Sequence, residues 1–278
     1  MGEPKELSEI DLEALAEAMS GWLESQRKAA GSTGYVVGVS GGVDSALVAM
    51  LCHRTRAPTT ALVMPCKSVP EDREIAERFL SENHIDHRVV VLDRVFDEEI
   101  GALIAGGVFR GMPDARATAM ANVKPRLRMM TLYAFANENR RLVAGTGNRS
   151  EDALGYFTKY GDGGVDLLPI ADLVKREVRM LARHLGVSNE IVDRIPTAGL
   201  WLGQTDEGEM GVTYDQIESY LRDFDEMLEG WHGGSARDVH ELLAKRSEAN
   251  AKISAMVMAA GHKNAYPPVF PAREMLRK

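Results

Sequence analysis

The amino-acid sequence predicts an α/β protein in which a parallel sheet carries helices on both of its faces. Two observations lead to this prediction. Short apolar runs such as "YVVGVS" and "HRVVVL" alternate with longer segments whose apolar residues recur at helical spacing. The runs are apolar almost throughout, as expected for strands that are covered on both faces.

Each predicted element follows from a local pattern. Residues 7–30 form a predicted amphipathic helix, because apolar side chains from Leu7 and Ile10 to Leu23 recur at helical spacing. The helix over 70–82 has Pro70 and acidic residues in its first turn, which favour a helix start. Predicted strands cover 35–40, 60–64, 87–92 and 141–146, and the other predicted helices cover 43–55, 94–107, 115–139, 172–185, 213–228 and 235–260.

Two glycine-containing segments, 155–171 and 196–211, break the alternation. Long irregular loops in a compact domain are more often functional than idle, so both are expected near a site. The pair Gly233 and Gly234 is expected to separate two C-terminal helices rather than two domains. Residues 1–278 are therefore predicted to form a single domain.

Composition excludes several classes of protein. The net charge is −8, which makes a general nucleic-acid surface unlikely to form, although a local basic pocket stays possible. No apolar run approaches a membrane span, and the polar N-terminus does not resemble a signal peptide. Cys52 and Cys66 lack the spacing of a zinc site or a disulfide framework. We therefore expect a cytoplasmic protein with no nucleic-acid or membrane partner.

The turn "SGGVDS" predicts a phosphate site. Two glycines between a strand and a helix let backbone N–H groups approach an anion, and the helix dipole adds positive potential. The Ser40 and Ser45 hydroxyls could donate to phosphate oxygens. Asp44 would repel a bare phosphate, but it fits a Mg²⁺ ion held between carboxylate and phosphate. The turn is therefore interpreted as a pyrophosphate holder with an attached metal ligand.

"SGGVDS" also resembles the signature of the N-type ATP pyrophosphatases, which cleave ATP between its α- and β-phosphates. Later segments are similar to the ammonia-dependent NAD(+) synthetases within that superfamily. They are "GTGNRSEDALGYFTKYGDGGVDLLPIADLVKREVR" at 145–179, "NVKPRLRMMTLYAFAN" at 122–137, the block at 196–217, and "HK" at 262–263. The resemblance implies an adenine nucleotide alpha hydrolase-like (Rossmann-like) fold and a homodimer.

The resemblance further implies a reaction. ATP is the co-substrate, Mg²⁺ is the cofactor, and the nicotinate carboxylate of deamido-NAD is adenylated with release of pyrophosphate. Ammonia then displaces AMP and gives NAD. Longer members carry a glutaminase domain, for which the 35 or so residues before the turn are expected to leave no room, so free ammonia is the expected nitrogen source unless a separate partner supplies it.

Site residues are carried over from the resemblance position by position. Asp44 and Glu151 are expected to bind the metal; Glu151 also follows a predicted strand, where α/β sheets bind ligands. Asp162 and Lys175 are the expected catalytic residues, with Asp162 handling ammonia. The expected ATP contacts are Gly38, Val39, Ser40, Gly41, Gly42, Val43, Asp44, Ser45, Thr146, Lys175 and Thr197. The expected deamido-NAD contacts are Arg126, Lys159, Asp166, His262 and Lys263.

Some positions depart from the family pattern. Asn264 follows "HK" where an arginine is common, and Arg149 and Ser150 replace a "HA" pair before Glu151. Two other functions stay open. A tRNA-modifying sulfurtransferase would need reactive cysteines and a basic surface. A non-catalytic adenine-nucleotide sensor would bind ATP without turning it over, and the retention of Asp44, Glu151 and Lys175 together argues against it.

Overall fold

The computed structural model describes residues 12–199, 201, 203–231, 235–268 and 270. Four strands are present in this part of the chain: β1 Gly34–Gly38, β2 Thr59–Val63, β3 Asp86–Val89 and β4 Arg141–Ala144. The helices are α1 Leu12–Ala29, α2 Val43–Arg54, α3 Pro70–Glu82, α4 Asp93–Ala105, α5 Pro113–Ala121, α6 Val123–Asn139, α7 Arg149–Leu154, α8 Lys175–His184, α9 Asn189–Val192, α10 Asp206–Met210, α11 Tyr214–Glu229, α12 Ala236–Leu243 and α13 Glu248–Ala260.

The four strands form one parallel sheet in the order β3-β2-β1-β4. The chain moves outward from β1 through β2 to β3 and then returns to the other side of β1 to form β4. The strand order therefore reverses between β1 and β4. Open α/β sheets bind ligands in the crevice at such a switch point, beyond the carboxyl ends of the strands.

Helices cover both faces of the sheet, as predicted. On one face, Val37 and Ala61 pack in a buried cluster with α1, α2, α3, α8 and α9. On the other face, Val36, Leu62 and Val143 pack against Leu127 and Leu132 of α6. Successive strand residues alternate between these two clusters, which explains why β1 and β2 are buried almost throughout. β3 differs, because it contains Asp86, His87 and Arg88 and is partly exposed.

A third buried cluster lies among the C-terminal helices. Ile217 and Tyr220 of α11, Val239 of α12 and Ile253 of α13 pack with Leu154 at the end of α7. Among the described residues, α11 and α13 both contact α7, which follows β4. The C-terminal helices are thereby held beside the carboxyl end of the sheet.

Some predicted helices differ from those in the structure. The predicted helix 115–139 is two helices that meet at Asn122, because Pro125 lacks an N–H group and its ring would collide with the carbonyl of Ala121 in a continuous helix. The predicted helix 235–260 is also divided, since the Ser247 side chain caps α13 by accepting a hydrogen bond from Asn250 N.

Three short helices were not predicted, namely α7, α9 and α10. Each has six residues or fewer, which is too short for apolar periodicity to reveal. The segment 155–171 is irregular, as predicted, whereas α10 lies within 196–211.

Some predictions concern positions outside the described residues. They are the start of the first helix, with Leu7 and Ile10, the polar N-terminus, and the break at Gly233 and Gly234. Within the described residues, no helix is long and apolar enough to cross a bilayer.

Gly34 at the start of β1 offers a test of the sheet. A Cβ atom there would lie 1.9 Å from the backbone oxygen of Pro58, so Gly34→Ala must displace the backbone beside β2. We expect it to lower the free energy of unfolding by about 1–3 kcal/mol, as overpacking does. Gly21→Ala in α1 is the matched control, because a Cβ there meets nothing within 4 Å. Urea unfolding should show Gly21→Ala at least as stable as the wild type; equal stability of both variants would contradict the close approach.

Candidate active site

A cavity of about 630 Å³ opens at the carboxyl ends of the strands. Its lining includes the turn after β1, the ends of β2 and β4, and the irregular segment 155–165. The start of α6 and residues 194–199 complete the walls. The cavity thus occupies the switch point between β1 and β4.

The turn between β1 and α2 is built by its own side chains. Gly41 has φ +86°, a backbone conformation that other residues rarely adopt, and Gly42 caps α2. The buried Ser45 hydroxyl donates to Gly42 O at 2.9 Å and accepts from Ser40 N at 3.2 Å. Ser45 therefore shapes the turn and does not reach outward as a free donor. The turn leads directly into the N-terminus of α2, where anions are stabilised.

Lys175 links the two carboxylates that were expected to bind metal. Its Nζ donates to Asp44 Oδ2 at 2.6 Å and to Glu151 Oε1 at 2.9 Å. The Lys175 side chain is only 3% exposed, so its charge is compensated almost entirely by these two groups. Burial opposes the charged form, but the two carboxylates outweigh burial and raise the pKa of Lys175. Lys175 is therefore a buried cation shared by two anions.

Buried polar groups hold these three residues in place. Asn148 caps α7 by accepting from Glu151 N at 3.1 Å, and its Nδ2 donates to Asp44 Oδ1 at 2.8 Å. Ser150 Oγ accepts from the backbone N of Lys175 at 3.1 Å, where α8 begins. Asn148 and Ser150 are both fully buried. The turn after β1, the start of α7 and the start of α8 are thus tied together.

A chain of phenols and carboxylates extends from Glu151 toward α10. Tyr214 OH lies 2.8 Å from Glu151 Oε1 and 3.0 Å from Asp206 Oδ2. Tyr156 OH lies 3.2 Å from Asp206 Oδ1 and 2.7 Å from Glu209 Oε2. Burial raises the pKa of both Glu151 and Asp206. Each phenol therefore lies within hydrogen-bond distance of two carboxylates, and the network joins the C-terminal helices to the site.

The residues of the site fit a magnesium ion. Asp44 Oδ2 and Glu151 Oε1 lie 2.6 Å and 2.9 Å from Lys175 Nζ, so the two carboxylates are close neighbours. Carboxylate oxygens are the ligands that Mg²⁺ prefers, and it commonly uses one or two of them with phosphate oxygens. Among the described residues, no group of three or more His, Cys, Asp or Glu side chains could hold a metal alone. The chemistry of the donors thus suits an ion that arrives with a phosphate ligand.

The segment after α7 is fastened by the C-terminal end of the chain. Lys263 Nζ donates to Gly155 O at 2.6 Å and Phe157 O at 2.8 Å, and burial lowers its pKa. Lys159 Nζ donates to the backbone oxygen of His262. Asn264 Nδ2 donates to Asp152 O at 2.9 Å. These contacts fix the irregular segment that carries Asp162.

Asp162 lies in the cavity lining on that segment. Its Oδ1 accepts from Thr158 N at 2.9 Å, which closes the loop on itself. The side chain is exposed to the cavity, yet the protein atoms that surround it raise its pKa by desolvation. A carboxylate in such a place accepts a proton more readily than one in water.

Most of the predicted site residues lie in the cavity lining. Gly41 and Asp166 are not among its lining residues, whereas the others are. Asp166 accepts from Tyr133 OH at 2.9 Å and from Val143 N at 2.8 Å, so its carboxylate is engaged along β4. Arg126 donates to Lys159 O at 3.3 Å, and Thr197 Oγ1 accepts from Gly199 N at 3.1 Å.

Sequence reasoning missed several polar residues of the site. The pattern of Asn148 three residues before Glu151 is a helix-start signal that could have identified its capping role. No local pattern distinguishes Tyr214, Asp206 or Tyr156, because their contacts join distant parts of the chain.

The sequence profile of the NAD synthase family matches residues 15–267. The chain belongs to the NAD synthase family. An NH(3)-dependent NAD(+) synthetase of Carboxydothermus hydrogenoformans is 46% identical over 250 residues, which cover 90% of this chain and 99% of that protein. A synthetase of the same description from Archaeoglobus fulgidus is 39% identical over 274 residues, or 96% and 100% of the two chains.

Solved structures of the NAD synthase family share the fold. An NMN synthetase from Francisella tularensis superimposes with a TM-score of 0.79 at 32% identity and covers 95% of this chain and 100% of that one. The NAD+ synthetase from Burkholderia pseudomallei gives a TM-score of 0.67 at 32% identity, with coverage of 93% and 91%. The family and the fold predicted from the sequence are therefore confirmed.

Departures from the family pattern have structural roles in this member. Arg149 Nη2 lies 2.7 Å from both carboxylate oxygens of Asp225, so it binds α7 to α11. Ser150 anchors the start of α8 through Lys175 N. Asn264 bonds a backbone carbonyl near the end of α7. Each replacement thus supports the irregular segment or the helices that hold Glu151 and Lys175.

Tyr214→Phe tests the phenol between the two acids. The substitution removes one donor from Glu151 and Asp206, and we expect the free energy of unfolding to fall by about 1–3 kcal/mol, as for other buried groups that lose a partner. Tyr266→Phe is the control, because Tyr266 is 97% exposed. Chemical unfolding at constant pH measures both. A Tyr214→Phe protein as stable as the control would show that the phenol is dispensable.

Proposed function

We propose that this chain amidates the nicotinate carboxyl group of deamido-NAD with ammonia, coupled to cleavage of ATP to AMP and pyrophosphate. The observation that carries the proposal is the convergence of Asp44, Lys175 and Glu151 on the SGGVDS turn in a member of the NAD synthase family. Relatives described as NH(3)-dependent NAD(+) synthetases match almost their whole length.

Adenylation makes the nicotinate carboxyl group reactive toward ammonia. A free carboxylate is a poor acyl donor, because oxide would have to leave. In the proposed first step, a nicotinate oxygen attacks the α-phosphorus of ATP and the bond to the pyrophosphate oxygen breaks. In the second step, the ammonia nitrogen attacks the acyl carbon of the adenylate, and AMP leaves with the former carboxylate oxygen. The nitrogen loses one proton to complete the amide.

The residues of this chain have distinct proposed roles. The backbone N–H groups of the turn, with Thr146, Thr197 and Lys175, bind ATP. Asp44 and Glu151 would hold Mg²⁺, which supplies positive charge to phosphate oxygens when bound. Asp162 binds the incoming nitrogen and accepts its proton, in keeping with the raised pKa of its carboxyl group.

Binding of deamido-NAD is assigned to the other end of the cavity. Arg126, Lys159, His262 and Lys263 lie in the cavity lining, and the arginine and the two lysines add positive charge, which suits a dinucleotide with two phosphates. Asp166 stays a proposed contact of the same substrate, although its carboxylate is bonded to Tyr133 and Val143.

Nicotinate mononucleotide is the second candidate substrate. A relative of known structure is described as an NMN synthetase, and the mononucleotide carries the same nicotinate carboxyl group. Deamido-NAD is favoured because the more similar relatives are described as NAD(+) synthetases, at 46% and 39% identity against 32%.

A sulfurtransferase is disfavoured by the state of the two cysteines. Cys52 and Cys66 are free and fully buried, and burial raises the pKa of both thiols, so neither is a reactive thiolate. Buried free thiols also suit a reducing compartment, and we propose a cytoplasmic location on that ground.

We also propose a homodimer. Val95 and Ile104 of α4, Met112 before α5, and Met130 of α6 are 46%, 59%, 77% and 57% exposed. α6 contacts both α4 and α5, so these apolar side chains lie on or beside neighbouring elements. Exposed apolar patches of this kind often mark protein interfaces.

Product analysis tests the proposed reaction. With ATP, Mg²⁺, deamido-NAD and ammonium, the purified protein should release AMP and pyrophosphate in equal amounts, and ADP with phosphate would contradict the mechanism. Nicotinate mononucleotide should be used at least about 10-fold less efficiently, as expected when a bound nucleotide half is missing.

Asp44→Asn should reduce kcat by about 100-fold or more through loss of a charged ligand. Asp97→Asn, an exposed acid paired with Lys67, is the control and should be unchanged.

Light scattering after size-exclusion chromatography tests the dimer. The wild type should elute with twice the chain mass of 30.5 kDa. Met130→Glu should shift the protein toward the monomer, because it places a charge in the proposed apolar interface. Met258→Glu, on α13, is the matched control and should leave the dimer intact. A monomeric wild type at micromolar concentration would contradict the proposal.

A further inference from the structure

The phosphate turn needs more positive charge than Lys175 provides. Two of the three N–H groups of Lys175 bond Asp44 and Glu151, and its single charge faces two carboxylates. The turn itself contains no lysine or arginine. A departing pyrophosphate carries several negative charges, so positive groups beyond Lys175 and Mg²⁺ would favour its formation.

Arg194 lies beside the turn. It follows α9, at the start of the segment that includes Thr197, and its side chain is 30% exposed in the cavity lining. A Cβ atom placed at Gly41 would lie 3.6 Å from Arg194 Nη1, so the guanidinium group approaches the backbone of the turn directly. No resemblance noted above assigns this residue to ATP.

An ion pair orients the guanidinium group. Arg194 Nη2 donates to Asp72 Oδ1 at 2.9 Å, from the first turn of α3. The Asp72 backbone oxygen lies 2.7 Å from the position of a Gly41 Cβ, so α3 also packs closely on the turn. Asp72 therefore holds Nη2 while Nη1 faces Gly41. A guanidinium group presented in this way is suited to phosphate oxygens, because its N–H groups form a planar fork.

We infer that Arg194 binds the β- and γ-phosphates of ATP at the SGGVDS turn, with Asp72 as the residue that positions it. The bound group is the one that leaves as pyrophosphate. This inference rests on the proposed function, since it takes ATP to be the ligand of the turn. It adds the basic group that the turn lacks, supplied by the loop after α9.

Binding of inorganic pyrophosphate with Mg²⁺, measured by isothermal titration calorimetry, tests the inference. Arg194→Gln should weaken binding by about 10- to 100-fold, the range expected when charge-assisted hydrogen bonds are lost. The pyrophosphate affinity of Arg194→Lys should lie between those of the wild type and Arg194→Gln, because lysine keeps the charge but lacks the planar fork of N–H groups. The KM for ATP should rise by a similar factor in Arg194→Gln, whereas the KM for deamido-NAD should stay unchanged.

Two control variants separate phosphate binding from a structural role. Asp72→Asn removes the ion pair that orients the guanidinium group but leaves the cation, so pyrophosphate affinity should fall by less than in Arg194→Gln. Arg183→Gln removes a more exposed arginine that pairs with Asp193 close by, and it should have no effect on pyrophosphate binding. Melting temperatures establish whether each variant is folded. If Arg194→Gln does not fold, Arg194→Lys replaces it in the binding test.

The outcomes are distinct. Unchanged pyrophosphate affinity in Arg194→Gln, or an equal loss in Asp72→Asn, would overturn the inference, because the ion pair would then act only through the fold. A rise in the KM for deamido-NAD alone would also overturn it. If the wild type forms no AMP and pyrophosphate, the proposed function is wrong. The pyrophosphate affinities of the wild type and Arg194→Gln would still decide whether Arg194 binds phosphate.

Discussion

The sharing of Lys175 between Asp44 and Glu151 is the interaction on which the rest of the site depends. A buried charge is costly unless it is paired and hydrogen-bonded, and here one cation compensates two acids from separate parts of the chain. The loss of Lys175 would leave two neighbouring carboxylates without their shared cation. Asn148 and Ser150 restrict the backbone around the three residues, so the geometry is set before a ligand arrives.

The sheet and its helices were predictable because their signals are local. A strand covered on both faces needs an apolar run, and β1 and β2 are such runs. The break at Asn122 also has a local cause in Pro125, although apolar periodicity on both sides concealed it. Short helices such as α7 contain too few residues for periodicity, so only capping patterns could have indicated them.

Site residues could be predicted only where they belong to a recognisable sequence motif. The SGGVDS turn and Glu151 are recognisable from the sequence, and the structure brings both to the crevice between β1 and β4. Tyr214, Asp206 and Arg194 carry no local mark, because each acquires its partner through packing of separate elements. Ser45 was recognisable by its position, but its hydroxyl donates to Gly42 O within the turn and not, as expected, to a phosphate oxygen.

The spacing of the site along the chain has a consequence for the order of folding. Lys175 and Asp44 are 131 residues apart, and Asn148 and Asp44 are 104 apart. Contacts between distant residues close late, because the entropy of the intervening loop must be lost first. During synthesis, Asp44 therefore emerges long before its cationic partner and remains hydrated until α8 has been made. The candidate active site therefore cannot form until all four strands, which precede Lys175 in the chain, have been synthesised.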